Sequence, residues 1–250
     1  VTGLRTLAPG KVNLCLFLGQ TRADRRHELV TVFESVSLVD SVSLSPADGG
    51  LDTVECPGVS GPNLALEALA ALRARGWEGP PVRVEIAKQI PVAAGMGGGS
   101  SDAAAVLLLA AELAPIEPDA LAEIAASLGA DVPSQLHPGL SLGTGAGEIV
   151  EPLAPLAPHA FVIVPLPFAL STPAVYAEAD RLALPRAGDD LAARLAAVRA
   201  ALRPGAELPA ELLVNDLQPA AHSLCPAIGG ALQALREAGA EHAFVSGSGP

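Results

Sequence analysis

Residues 91–113 read PVAAGMGGGSSDAAAVLLLAAEL. Gly95, Gly97, Gly98 and Gly99 run into two serines, an aspartate and an apolar helix-forming segment. A linker does not turn into a helix so abruptly, whereas a loop that presses its backbone against a ligand can. Glycine takes positive φ and brings no Cβ into the approach. A helix start offers unpaired N–H groups at the positive end of a dipole. Together they make an anion site, with phosphate the usual occupant. Ser100 and Ser101 begin the expected helix, which runs to about Leu113, and add hydroxyl donors. The alternative use of such glycines is a joint or a bulge. A Walker A loop is excluded, because no lysine stands in the stretch. A dinucleotide fingerprint is excluded too: Ser100 stands where its third glycine belongs, and KQIPVAA separates the loop from the preceding strand.

The rest of the chain alternates strand and helix patterns without a strict repeat. KVNLCLFLG (11–19) is rich in β-formers, and 27–46 reads as one or two strands broken near Val39 and Asp40. Helical spacing covers 62–77, with Asn63 near the start and Gly76 at the end. In 81–91, Val82, Val84 and Ile86 alternate inward as a strand. Residues 118–136 predict a helix, a turn at Gly129 and a second short helix; 141–153 predicts a hairpin. The Pro-rich 153–160 marks a boundary between lobes at 1–153 and 154–250. Beyond it, FVIVPLP (161–167) reads as a buried strand and HAFV (242–245) as a last strand. Helices are expected from TPAVYAEAD (172–180), over 189–203 and over 226–239. The class is α+β in two lobes with mixed sheets.

Charge and cysteine usage narrow the partners. A net charge of −12 opposes nucleic-acid binding, though a local pocket can still take a small anion. Lysine occurs only at Lys11 and Lys88. Cys15, Cys56 and Cys225 have neither metal-ligand spacing nor even pairing, which fits a reducing, cytoplasmic setting. No stretch is long and apolar enough to span a bilayer, so no membrane partner is expected. VTGLRTLAPGK lacks the layout of a signal peptide.

Three stretches in order carry a resemblance. PVAAGMGGGSSDAA is similar to the second motif of the GHMP kinases. APGKVNLCLFLG (8–19) resembles their first, and FVSGSGP (244–250) the start of their third. PGKVNL, RHELVTVFESVSLVDSVSL and GADVP (129–133) narrow the likeness to one branch. That branch phosphorylates the 2-hydroxyl of 4-diphosphocytidyl-2-C-methyl-D-erythritol in the non-mevalonate route to isoprenoid precursors. The resemblance implies an α+β, two-lobed GHMP kinase fold. Its N-terminal lobe is like domain 2 of ribosomal protein S5 and its C-terminal lobe is ferredoxin-like. It also implies ATP and Mg2+, a cytidine-diphosphate-linked sugar alcohol as partner, and a monomer or weak homodimer.

Residue by residue, the resemblance makes Asp131 the proton acceptor and Lys11 the cation beside it. A plain N-cap and a solvated lysine are the alternatives. The nucleotide side comprises Asn63, Lys88, Pro91, Ala93, Ala94, Gly95, Met96, Gly97, Gly98, Gly99, Ser100 and Ser101. Asn63 serves equally as a helix cap. The substrate side comprises Asn13, Arg26, His27, Thr172, Tyr176 and Gly247, with Gly249 closing the site. His27 is expected on the cytosine edge and Tyr176, the one tyrosine, against its ring. A surface histidine and a core-edge tyrosine are the alternatives. No metal ligand is named, although either serine hydroxyl could contribute.

The sequence departs from the pattern in three places, the mildest being Gly10 where the family commonly has alanine. Arg25-Arg26-His27 stands where the family has Gly-Tyr-His, so Arg26 is expected to stack on cytosine in place of the tyrosine. Family members continue past SGSGP, so the C-terminal lobe is expected to lack a strand and helix and to expose an edge. Competing readings are another GHMP kinase acting on mevalonate or homoserine, a non-catalytic binder of the same fold, and an RNA-binding module, which the charge opposes.

Overall fold

The structure is a computed structural model and describes residues 3–92 and 94–249. The fold is α+β. Two compact units emerge, each assembled from separate stretches of the chain. Unit 1 holds the chain up to Lys11, Ser35–Val92 and Met96–Pro138; unit 2 holds Val12–Glu34, Ala94 and Gly95, and the chain from Gly139. The reason is two long paired strands, β1 (Leu4–Thr21) and β2 (His27–Pro46), each of which gives one half to each unit.

β2 is unbroken, contrary to the break expected near Val39 and Asp40. It changes partner instead. Asp40 is tolerated in the strand, fully buried, because its carboxylate is met by backbone N–H groups and an ammonium described below.

Unit 1 continues with β3 (Thr53–Glu55), α1 (Leu64–Ala74), β4 (Val82–Ala87), α2 (Gly98–Leu113), α3 (Pro118–Leu128) and α4 (Val132–Gln135). β4 pairs antiparallel with Ser41–Pro46 of β2 and parallel with β3. Its alternation places Val82, Val84 and Ile86 in the core. α1 starts where Asn63 Oδ1 accepts from Ala65 N at 2.9 Å and is followed by Gly76 at φ +81°. α2 begins at Gly98, three residues before the expected start. Its alanines Ala103, Ala104 and Ala110 are buried, and α1 packs against it with Ala65, Ala68, Leu69 and Leu72. Each buried leucine contributes about 1.5–3 kcal/mol.

Unit 2 adds the hairpin β5 (Leu140–Thr144) and β6 (Ile149–Leu153), then α5 (Thr172–Arg181), α6 (Gly188–Ala201), α7 (Gln218–Leu224) and α8 (Ala227–Glu237). β5 pairs antiparallel with Thr31–Glu34 of β2 and with β6. Leu16, Leu18, Val175, Ala179, Leu217, Ala221 and Ile228 form its core.

Two strands expected here are not formed. Residues 161–167 are irregular and largely exposed, with Val162 79% accessible. Pro165 and Pro167 offer no ladder donor, and an apolar run without a neighbouring strand has no sheet to join. Residues 242–245 are irregular as well. Side chains satisfy that backbone in place of a ladder: Val245 N donates to Gln218 Oε1 at 2.9 Å, Val245 O accepts from Asn215 Nδ2 at 2.7 Å, and Ala243 O accepts from Arg236 at 3.1 Å.

Candidate active site

The glycine loop folds as its composition requires. Gly95 and Gly97 both stand at φ +65°. Gly97 is the N-cap of α2 in the left-handed region, and no side chain caps the helix. Ser101 N closes the first turn on Gly97 O at 2.9 Å, which leaves the preceding amides directed out of the helix end. Met96 is buried, and its carbonyl accepts from Lys11 N at 2.9 Å, tying the loop to β1. A Cβ on Gly97 would lie 3.2 Å from Lys11 Cγ, and one on Gly98 would lie 3.1 Å from Ile90 Cγ2 and from Lys88 Nζ.

Lys11 and Asp131 come together in unit 1. Lys11 is 4% exposed, and its ammonium is 3.4 Å from Asp131 Oδ2. Asp131 occupies the N-cap position of α4 but makes no side-chain cap bond. Its carboxylate lies instead 3.8 Å from the Cβ position of Gly97, at the loop where α2 starts. A half-exposed carboxylate, a buried cation and uncapped helix amides are the elements needed to hold an anion and take a proton beside it.

Lys88 is held differently from an open phosphate ligand. Its ammonium donates to Asp102 Oδ2 at 2.7 Å and to Asp40 Oδ2. Asp40 Oδ1 accepts from Gln89 N and from Ile90 N at 2.9 Å. Burial pushes the Asp102 carboxyl up to about 6, although Lys88 works in the opposite sense. For Lys88, burial opposes its charge, but the bonds to Asp102 and Asp40 outweigh that and raise it.

Unit 2 gathers most of the residues expected on the substrate side. Asn13 Nδ2 donates to Thr31 Oγ1 at 2.8 Å, and Thr31 donates to Cys15 O at 2.7 Å. Asn13 N donates to Ser246 Oγ at 2.9 Å. His27 is buried, with Nε2 2.7 Å from Asp180 Oδ1 and 3.2 Å from Thr21 Oγ1. Its ring centroid is 5.2 Å from that of Tyr176, tilted by 40°. Thr172 Oγ1 and Ser248 Oγ are 2.9 Å apart. Gly247 and Gly249 stand at φ +59° and +64°. Asn215 secures their loop, donating to Val245 O and Gly247 O at 2.7 Å each. A Cβ on Gly95 would lie 3.5 Å from Gly249 O.

Arg26 is exposed and tied down. Its guanidinium meets Asp24 at 3.1 Å and Glu148 at 3.5 Å. Asn63 caps α1. Pro91 is exposed and Ala94 half-buried; Ala93 lies outside the described residues.

Four residues of this arrangement were not expected: Asp40, Asp102, Asp180 and Asn215. For Asp40 and Asn215 a signal existed, a polar side chain directly after an apolar run, in SLVDSV and ELLVND. Such a residue stays buried only with partners. Asp180 carried no comparable signal on its helix.

No group of three His, Cys, Asp or Glu side chains able to hold a metal occurs among the described residues. A Mg2+ ion fits here as one carried largely by phosphate oxygens and water, with Ser100 or Ser101 offering a hydroxyl. No helix among the described residues is long and apolar enough to cross a membrane.

Comparison with known proteins agrees across three measures. The model of the GHMP kinases N terminal domain matches residues 63–139, and that of the GHMP kinases C terminal domain matches 195–250. A 4-diphosphocytidyl-2-C-methyl-D-erythritol kinase of Kineococcus radiotolerans is 46% identical over 97% of this chain and 78% of its own length. The enzyme of that name from Streptomyces coelicolor is 45% identical over 97% and 84%. A crystal structure of 4-(cytidine 5'-diphospho)-2C-methyl-D-erythritol kinase superposes with TM-score 0.72 at 34% identity, covering 99% of this chain and 88% of that one. A phosphomevalonate kinase of Streptococcus pneumoniae shares the fold alone, with TM-score 0.65 at 14% identity, over 100% of this chain and 89% of that one.

Proposed function

The chain belongs to the 4-diphosphocytidyl-2-C-methyl-D-erythritol kinases, a branch of the GHMP kinases, and we infer that it moves the γ-phosphoryl group of ATP to the 2-hydroxyl of 4-diphosphocytidyl-2-C-methyl-D-erythritol. One observation carries the reading: the Asp131 carboxylate turns away from capping α4 and toward Lys11, beside the glycine where α2 begins.

In this reading the uncapped amides of α2, with Ser100 and Ser101, cradle the triphosphate, and Pro91 through Gly99 line it. Asn63 serves the adenine side. Asp131 accepts the hydroxyl proton as the oxygen attacks the γ-phosphorus and the bond to the ADP oxygen breaks. Lys11 pairs with Asp131 and draws charge off the attacking oxygen. Asn13 follows Lys11 by two positions on β1 and orients the sugar alcohol. His27 reads the cytosine edge while Tyr176 packs on its ring. Arg26 reaches the other face of the ring by leaving Asp24. Thr172, Gly247 and Gly249 close the substrate side. When bound, Mg2+ supplies charge neutralisation on the phosphates. In chain order the lobes divide as 1–153 and 154–250. The protein acts as a monomer or weak homodimer in the cytoplasm, away from nucleic acid and membrane.

The test is ATP turnover with a panel of alcohols. Asp131→Asn should lower kcat by roughly 100- to 10,000-fold and leave ATP affinity within about threefold. Unchanged turnover removes Asp131 from the chemistry. Faster reaction with mevalonate or homoserine than with the cytidine compound overturns the substrate assignment.

A further inference from the structure

Resting on the nucleotide reading above, we propose that Lys88 is a positioning residue: its ammonium, held between Asp40 and Asp102, fixes the first turn of α2 and acts on the ATP phosphates through that turn, without touching them. The resemblance placed Lys88 on the nucleotide side, where a lysine is ordinarily a direct phosphate ligand. The geometry points elsewhere.

The ammonium is buried beneath the loop. The Lys88 side chain is 14% exposed, that of Asp102 6% and that of Asp40 0%. Nζ lies 3.1 Å from where a Cβ on Gly98 would stand, directly under the first helical residue. An ammonium has three donors, and two of them are engaged by carboxylates. Both carboxylates are buried, so a shift of Nζ toward a phosphate that stretches either bond leaves an uncompensated charge in a medium that penalises it. Two carboxylates around one ammonium also leave the cluster net negative, the wrong sign for drawing in a triphosphate.

The two carboxylates depend on Lys88 unequally. Asp40 has a second hold, the N–H groups of Gln89 and Ile90 just beyond β4. Asp102 has none: its Oδ1 is buried without a hydrogen-bond partner among the described residues. Its Oδ2 is held by Lys88 at 2.7 Å. Asp102 sits one turn into α2, so Lys88 is the link between the strand layer and the start of the helix. Remove the ammonium, and Asp102 must move or take a proton, and the first turn of α2 is no longer fixed to β2 and β4.

Hydrogen exchange on the nucleotide-free protein gives a reading independent of turnover. In Lys88→Met, the peptide spanning 97–108 should exchange at least tenfold faster than in the parent, while the α3 peptide 118–128 stays unchanged. KM for ATP should rise tenfold or more, with kcat at saturating ATP within threefold. The double variant Lys88→Met, Asp102→Asn should recover most of both losses, because no unpaired charge is left. Unchanged protection of 97–108 in Lys88→Met overturns the proposal. So does a double variant that still binds ATP as poorly as the single one, since the ammonium would then be touching phosphate. Should Lys88→Met not fold, Asp102→Asn alone decides: KM for ATP within threefold supports positioning, and a lower KM, from an ammonium freed toward phosphate, overturns it. A parent protein without ATP turnover would defeat the kinase reading, yet the exchange comparison would still judge the role of Lys88.

Discussion

Gly97 has two separable reasons to be glycine. Its φ of +65° costs an alanine about 1–2 kcal/mol, and a Cβ there would crowd Lys11 Cγ and Cε at 3.2 and 3.3 Å. Gly76 supplies the control, since it stands at φ +81° with nothing within 4 Å of its Cβ position. Both Gly→Ala variants should lose about 2–4 °C of melting temperature per kcal/mol of strain. Gly97→Ala should in addition lower kcat tenfold or more, because Lys11 must shift relative to Asp131; Gly76→Ala should keep kcat. Calorimetry and a turnover assay on the pair check this, and equal kcat in the two would detach Gly97 from the chemistry. At this scale the conformation of the loop glycines was readable, because composition and local grammar coincide there. Asp131 was ambiguous between cap and base, because an N-cap position says nothing about which way a carboxylate turns. Asp40 was misread as a strand break, since an aspartate's preference for turns holds only until a buried lysine compensates it.

Asn63 caps α1, and the proposed function gives the same side chain a ligand as well. The cap on α1 uses Oδ1 alone, and the proposed adenine contact would use Nδ2. Asn63→Ser keeps a capping oxygen, so the melting temperature should stay within a degree or so while KM for ATP rises. Asn63→Ala should raise KM and also lose the cap, about 1 kcal/mol, or roughly 2–4 °C in a chain of this size. A serine variant with unchanged KM would restrict Asn63 to capping. Helices such as α1, α3 and α8 were legible because periodicity and a closing glycine lie within about a dozen residues. The strands expected at 161–167 and 242–245 were not realised, because a strand is defined by its neighbour and the sequence pattern holds no information about which neighbour is there. At 242–245 the partners are the side chains of Gln218 and Asn215, a competition that local β-propensity does not register. The unforeseen α7 has few periodic positions to read, and its seven residues include Pro219 near the start and end shortly before Pro226.

For the molecule as a whole, charge and exposed apolar surface act against each other. The chain carries a net −12, which keeps copies apart at low ionic strength. It also exposes Phe161, Val162, Val164 and Phe168 along one irregular stretch, at 40%, 79%, 46% and 51%. Repulsion between surface charges is screened over about 10 Å at 0.1 M salt and about 3 Å at 1 M, whereas apolar attraction survives that change. Self-association should therefore increase with sodium chloride, and the increase should run through this stretch. Light scattering across 0.05–1 M salt, values chosen to bracket the about 10 Å and 3 Å screening lengths, should show the mean mass rising toward that of a dimer or beyond. Val162→Glu places a charge at the most exposed of the four side chains and disturbs no buried contact, so its curve should stay flat with melting temperature and turnover unchanged. A variant that associates as strongly as the parent would assign the attraction to another surface, and a parent whose mass falls with salt would show that ion pairs, not apolar contact, bring copies together.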